Sequence, residues 1–206
     1  MFHYIQRIFR PHPFHDIIEC LAAALEAKDF YTSGHSSRVG DMSYDLGRAM
    51  GLKGSELENI HIAAHLHDIG KMGISETILN KKGKLLPHEF AQIQTHPEIG
   101  YKILAKSKGL QKMAEIVLHH HERWDGKGYP AGLREDKIPL GSRIIAVADS
   151  MGCHDVDKTI STSLVLGGML GGDPYQQRHT IRPCGGGSSG KTVEKVEGAV
   201  ARVAEG

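Results

Sequence analysis

Apolar residues recur through residues 14–150 at three- and four-residue intervals, the spacing of helices that each bury one stripe. Ile17, Ile18, Leu21 and Leu25 mark a helix over about 14–28. Val39, Met42, Leu46 and Met50 mark a second, for which Thr32 or Ser33 is the candidate cap. Leu57, Ile60 and Ala64 mark a third, with Ser55 and Glu58 at capping-box spacing; His67 continues its stripe, and Gly70 is the stop. A loop over 73–86 comes next, in which Lys81, Lys82 and Lys84 form a solvated basic turn. The next helix opens near Pro87, carries Phe90 and Ile93, and breaks at His96-Pro97, because proline drives the residue before it out of helical space. Ile99, Ile103 and Leu104 continue to about Gly109. Residues 113–122 read MAEIVLHHHE, and Pro139 and Leu140 open a last helix through Ile145 to Asp149. No run alternates with period two, so the prediction is an all-α bundle of five to seven helices.

The pattern divides the chain. Residues 1–13, punctuated by Pro11 and Pro13, form an N-terminal segment; 14–151 form the helical domain; 152–206 form a divergent glycine-rich tail, helical again only over about 193–205. Within that tail, Gly185 to Thr192 spells a P-loop letter for letter. Arg182-Pro183 precedes it where a strand is required, and little chain remains after it to supply a magnesium aspartate, so it reads as a linker.

Bulk properties narrow the function. A length of 206 residues suits one domain, and 25 basic against 24 acidic residues argue against a nucleic-acid polymer as partner. No run is long and apolar enough to span a bilayer. Cys20, Cys153 and Cys184 form neither a disulfide framework nor a CxxC pair, which fits a reducing cytoplasm.

The histidines change the picture, at 14 in 206 residues. His67-Asp68 by itself reads first as a hydrogen-bonded pair that fixes a helix end. Other positions join it: His35 in the first turn of a helix, His96 at a proline kink, His120 and His121 on an apolar stripe, and Asp149 four residues after Ile145. His119 points elsewhere, to solvent. Imidazoles and carboxylates on buried faces are costly unless something binds them. Seven nitrogen and oxygen donors exceed what one ion takes, so two divalent ions bridged by Asp68 are expected, iron or manganese first, with zinc, nickel or magnesium as alternatives. Paired ions suit phosphoester hydrolysis, and Lys71 stands where it can neutralise a phosphate.

Taken together, His35, His67-Asp68-Ile-Gly-Lys71, His96-Pro97-Glu-Ile-Gly100, His120-His121-Glu122, Asp125-Gly-Lys-Gly128-Tyr129-Pro130 and Val147-Ala148-Asp149 resemble the HD-GYP branch of the HD phosphohydrolases. The resemblance covers about residues 16–150. It implies a helical HD-domain bundle and a metal-dependent phosphodiesterase that cleaves cyclic di-GMP to pGpG or GMP. By position it implies His35, His67, Asp68, His96, His120, His121 and Asp149 as metal ligands, and Asp68 and Lys71 as catalytic residues. Lys71, Arg143 and Tyr129 are the expected substrate contacts, and Gly128, Tyr129 and Pro130 the signature loop, with a GGDEF-type diguanylate cyclase domain and a second copy of the chain as expected partners. Tyr31 stands where some members carry a third-metal glutamate, which favours two ions. Gly152 replaces a family aspartate, and the residues beyond it lack the expected Arg-x-Tyr element. A phosphohydrolase for another nucleotide and a messenger-binding module without turnover are the alternatives.

Overall fold

The structure, a computed structural model, describes residues 15–29 and 34–152. Within them the chain is helical, without strands: α1 (His15–Lys28), α2 (His35–Ala49), α3 (Gly54–His65), α4 (Glu76–Leu79), α5 (Pro87–Ile93), α6 (His96–Leu104), α7 (Gln111–Leu118) and α8 (Leu140–Gly152). Turns of 3₁₀ helix fill Ile69–Gly73, Lys108–Leu110 and Glu135–Lys137. The N-terminal segment, the cap candidates Thr32 and Ser33, Tyr31 and the tail with its P-loop-like run lie outside the described residues. No described helix is long and apolar enough to cross a membrane.

The all-α expectation holds, but with eight helices. The addition is α4, inside the expected loop, where Ile78 and Leu79 are buried with Ile74 and Ile93 in a small second core. Four residues do not sustain a helix by propensity, so burial holds this one. The main core gathers Val39, Ile60, Ala63, Val117, Ile145 and Ala148. In it α2 lies on α3 and α8, while α6 lies on α7 and on the 3₁₀ turn Ile69–Gly73.

Several expected boundaries are corrected. On α1 the buried stripe is Ile18, Ala22 and Leu25, whereas Ile17 and Leu21 are 56% and 45% exposed, because α1 meets the bundle along one narrow edge. Gly34 occupies the N-cap of α2 in a left-handed conformation, and the Glu26 carboxylate accepts hydrogen bonds from the Gly34 and Ser36 amides. Ser55 and Glu58 form no capping box: α3 starts at Gly54 after an extended Lys53, which places Ser55 inside the first turn. Helix α6 ends at Leu104 rather than near Gly109. Lys81 is half-buried and paired with Glu89, not part of a freely solvated turn.

The corrections with most consequence concern the ends of α3 and α7. Helix α3 stops at His65, well before Gly70, and α7 stops at Leu118, so the pairs His67-Asp68 and His120-His121 sit in turns beyond helices. His96 departs the other way, as the first residue of α6 and not outside helical space, since a helix tolerates proline in its first turn.

Candidate metal centre

One local device builds most of the site. The last carbonyls of a helix have no intrahelical partner, and a side chain can take them. The Nδ1–H of His67 donates to the Ala64 carbonyl (2.7 Å), that of His96 to Ile93 (2.8 Å), and that of His120 to Val117 (2.6 Å). In a continuing α-helix each of those carbonyls would serve the residue after the histidine. For Ile93 that residue is Pro97, which has no N–H to offer. Because a carbonyl only accepts, each Nδ1 must carry the proton, and each Nε2 is left with its lone pair. Three helix ends thus present three oriented nitrogens.

Tertiary packing brings them together. The Gly70 backbone crosses α6 so closely that a Cβ there would lie 1.8 Å from the His96 carbonyl oxygen and 2.6 Å from the Gly100 nitrogen. Gly70 is therefore a point of close backbone approach, and not the helix stop expected from the pattern. Through this crossing His96 Nε2 comes to 3.4 Å from Asp68 Oδ1 and 3.3 Å from His120 Nε2. The His121 ring lies beside both, with centroids 4.9 Å from His96 and 4.1 Å from His120. On the other side of the carboxylate, His67 Nε2 is 3.4 Å from Asp68 Oδ2. Asp149, delivered by α8, places Oδ1 3.0 Å from His35 Nε2 and 3.8 Å from His67 Nε2.

All seven sequence-derived candidates therefore converge. Asp68 belongs to two donor groups, one with His96, His120 and His121 and one with His35 and His67, and within each the donor atoms lie within 4.8 Å of one another. The donors fit a divalent ion: they are imidazole nitrogen and carboxylate oxygen, and the buried Nε2 of His67 has no hydrogen-bond partner among the described residues. Such a cluster is able to hold metal. Burial lowers the pKa of His96 to about 4 and of His120 to about 3, and drives His121 well below its ordinary value, so the imidazoles are neutral donors at neutral pH. Burial also opposes the charge on Asp68. The Lys71 ammonium beside it, with nearby imidazoles, outweighs that effect and holds the carboxyl well below the usual range.

The remaining candidates lie around the seven donors or apart from them. Lys71 is 2% exposed, and its Nζ reaches Asp68 Oδ2 (2.6 Å) and Asp29 Oδ2 (3.3 Å), so its charge faces two carboxylates. Arg143 does not join the seven donors; it bonds Asp136 (3.1 Å) and lies over the Trp124 ring. Tyr129 stacks on His121 at 4.9 Å, and its amide donates to the His121 carbonyl. Gly128 passes so near the chain at Glu122 and Arg123 that a Cβ would lie 2.4 Å from the Arg123 nitrogen, which fits the signature loop against the histidine turn. His119 is not solvated: only 14% of its side chain is exposed, beside Glu122.

Three acidic residues carry roles that the sequence did not assign them. Glu122, buried, accepts from the Ala131 and Leu133 amides and pins the loop. Asp29 holds Lys71, and Glu26 holds the start of α2 beside His35. Lys28 also acts here, donating to the carbonyls of Met72 and Ile74. The available signal was weak: acids at the end of an apolar helix or after a histidine run are usually solvated.

Residues 19–154 match the HD domain family. The chain belongs to that family, and its Gly128-Tyr129-Pro130 loop is of the HD-GYP type. It is 47% identical over 137 residues to a cyclic di-GMP phosphodiesterase of Thermotoga maritima, a match spanning 66% of this chain and 37% of that protein. It is 43% identical over 136 residues to 3'3'-cGAMP-specific phosphodiesterase 2 of Vibrio cholerae, spanning 65% and 26%. The chain therefore spans well under half the length of these relatives. The HD domain of the phosphodiesterase PgpH of L. monocytogenes, solved with cyclic-di-AMP, shares the fold at a TM-score of 0.54 and 17% identity, covering 90% of this chain and 94% of that one.

Proposed function

We propose that this HD domain is a metal-dependent phosphodiesterase that opens cyclic di-GMP to pGpG, or onward to GMP. The observation that carries the reading is a single carboxylate, Asp68, shared by two groups of oriented donors. His35, His67 and Asp149 would hold one ion and His96, His120 and His121 the other, with Asp68 between them; iron or manganese suits this donor set, with zinc, nickel or magnesium as alternatives. The chemistry supplied by two bound ions is Lewis-acid activation of water and neutralisation of the phosphoryl oxygens. Hydrolysis adds the elements of water across one P–O3′ bond, the departing oxygen taking a proton.

The chain's own residues prepare that step. Lys71 keeps Asp68 ionised and, anchored by Asp29, fixes its direction. The backbone carbonyls hold three imidazoles in one tautomer, so no ring reorganises when ligands bind. Tyr129, stacked on His121, and Arg143, over Trp124, are the side chains assigned to the nucleotide. The catalytic unit is residues 14–151, with the glycine-rich tail 152–206 outside it. We place it in the cytoplasm, as a dimer able to dock a GGDEF-type cyclase domain on the signature loop. The Vibrio cholerae relative supports a second reading, in which the mixed guanine–adenine cyclic dinucleotide is the substrate.

The test is hydrolysis of both dinucleotides by the anaerobically purified chain, with metal analysis of the same sample. Asp68→Ala is expected to lose ions from both donor groups and to lower turnover by at least about 10²–10³-fold. Equal turnover by wild type and Asp68→Ala in excess metal would refute the proposal, and preference for the mixed dinucleotide would select the second reading.

A further inference from the structure

A separate group of histidines lies on the α1–α3 face, sharing no donor atom with the centre above. His61 and His65, one turn apart on α3, bring their Nε2 atoms to 2.9 Å, with ring centroids at 4.7 Å. His15 on α1 stands edge-on to both, its centroid 5.9 Å from His61 and 5.8 Å from His65. Its Nε2 contacts Glu19 at 3.2 Å, and its side chain is about a third exposed. Tyr44 closes the far side of His61.

An imidazole is a costly occupant of the His65 position. His65 is buried, and its Nδ1 has no hydrogen-bond partner among the described residues. Whichever tautomer it adopts, Nδ1 stays unsatisfied, at a cost that an apolar side chain would avoid, so the imidazole is kept there for what its Nε2 does. Helix α2 nevertheless makes room for the ring, since a Cβ at Gly40 would lie 2.6 Å from His65 Nε2. The position is shaped for an imidazole with Nε2 beside a second Nε2.

From this geometry we infer that His61 and His65 chelate a divalent transition-metal ion, with His15 turning in from Glu19 as a third donor. At an imidazole–metal distance of about 2.0–2.1 Å, nitrogens 2.9 Å apart subtend about 90° at the ion. Tetrahedral coordination would hold them roughly 3.3 Å apart. A right angle between neighbouring ligands belongs to square or octahedral ions, so Ni(II) and Cu(II) are the ions to test first. His15 supplies its nitrogen when its contact with Glu19 opens, and water fills the remaining positions.

The experiment is equilibrium dialysis of the full chain against Ni(II), wild type beside His61→Gln, His15→Gln and Asp68→Ala. Wild type is expected to hold one equivalent more than His61→Gln, and Asp68→Ala to keep that equivalent. His15→Gln should weaken it severalfold. In Asp68→Ala, where the main centre is expected to be empty, Ni(II) held octahedrally by imidazole and water is paramagnetic and should broaden the Gly40 and His65 amide resonances, which should stay sharp when His61→Gln is added to that variant. Equal binding by wild type and His61→Gln overturns the proposal, as does loss of the equivalent in Asp68→Ala, or in Asp68→Asn where the alanine variant does not fold. An inactive wild-type chain that still carries the His61-dependent equivalent would count against the phosphodiesterase alone.

Discussion

His65 and His67 are two residues apart, both buried, and oriented by opposite means. His67 lies just past a helix end, where a spare carbonyl captures Nδ1 and aims Nε2. His65 belongs to the helix itself, where backbone carbonyls are already engaged by the ladder, and its Nδ1 has no hydrogen-bond partner. The same contrast separates His96 and His120 from His61. An imidazole at a helix end is locked before any ligand arrives; one on a helix body keeps its geometry only through its neighbours. A reaction that needs donors in place profits from the first arrangement, and an adaptable chelate can use the second.

The contrast can be broken at its supports. Gly70→Ala has the largest expected effect, because its Cβ would collide with backbone at His96 and Gly100 rather than with a flexible side chain. It should lower stability by about 4 kcal/mol or more and part His96 from Asp68, read by urea unfolding and metal content; a wild-type midpoint would show that the crossing is not tight. Acid comes next. His96 and His120 have folded pKa values of about 4 and about 3, below the ordinary 6.5, so the unfolded chain takes up protons first as pH falls. Their contribution is fully present above pH 6.5 and is lost as pH drops through the folded values. Between pH 6.5 and 5 the metal-free chain should lose roughly 2 kcal/mol for each imidazole, measured by urea titration at both pH values; a flat profile would contradict the burial of neutral rings.

Glu122→Ala should cost about 2 kcal/mol, since the part-buried hydrogen bonds from the Ala131 and Leu133 amides lose a charged acceptor, and should loosen the loop that carries Tyr129. Faster hydrogen exchange at those two amides is the direct readout. The smallest effect sharpens the contrast best. His65→Leu removes the unsatisfied Nδ1 and should change stability by no more than about 1 kcal/mol, in the stabilising direction. A large loss would mean that His65 is anchored as firmly as His67.

The helical class and all seven converging donors were legible from spacing alone, because burial stripes and ligand types are local properties of the chain. The errors cluster where helices end. His67 and His120 were placed on helix faces, yet their own side chains take the carbonyls that continuation would need. Periodicity cannot register that competition, since an apolar stripe runs through a turn as readily as through a helix. The contact of Lys71 with Asp29 was hidden as well, because the two lie 42 residues apart in sequence.

Sequence by itself determined that this protein would be helical and that the seven imidazole and carboxylate donors would face inward, because stripe position and ligand type are set by residue type and spacing. The place of Asp68 between two donor groups was expected from the chain, whereas only the tertiary structure decided that Lys71 serves it and that Glu122 ties down the loop at Ala131 and Leu133. Those outcomes depend on which backbone segments can touch, as at Gly70 and Gly128, and close approach is a relation between distant segments.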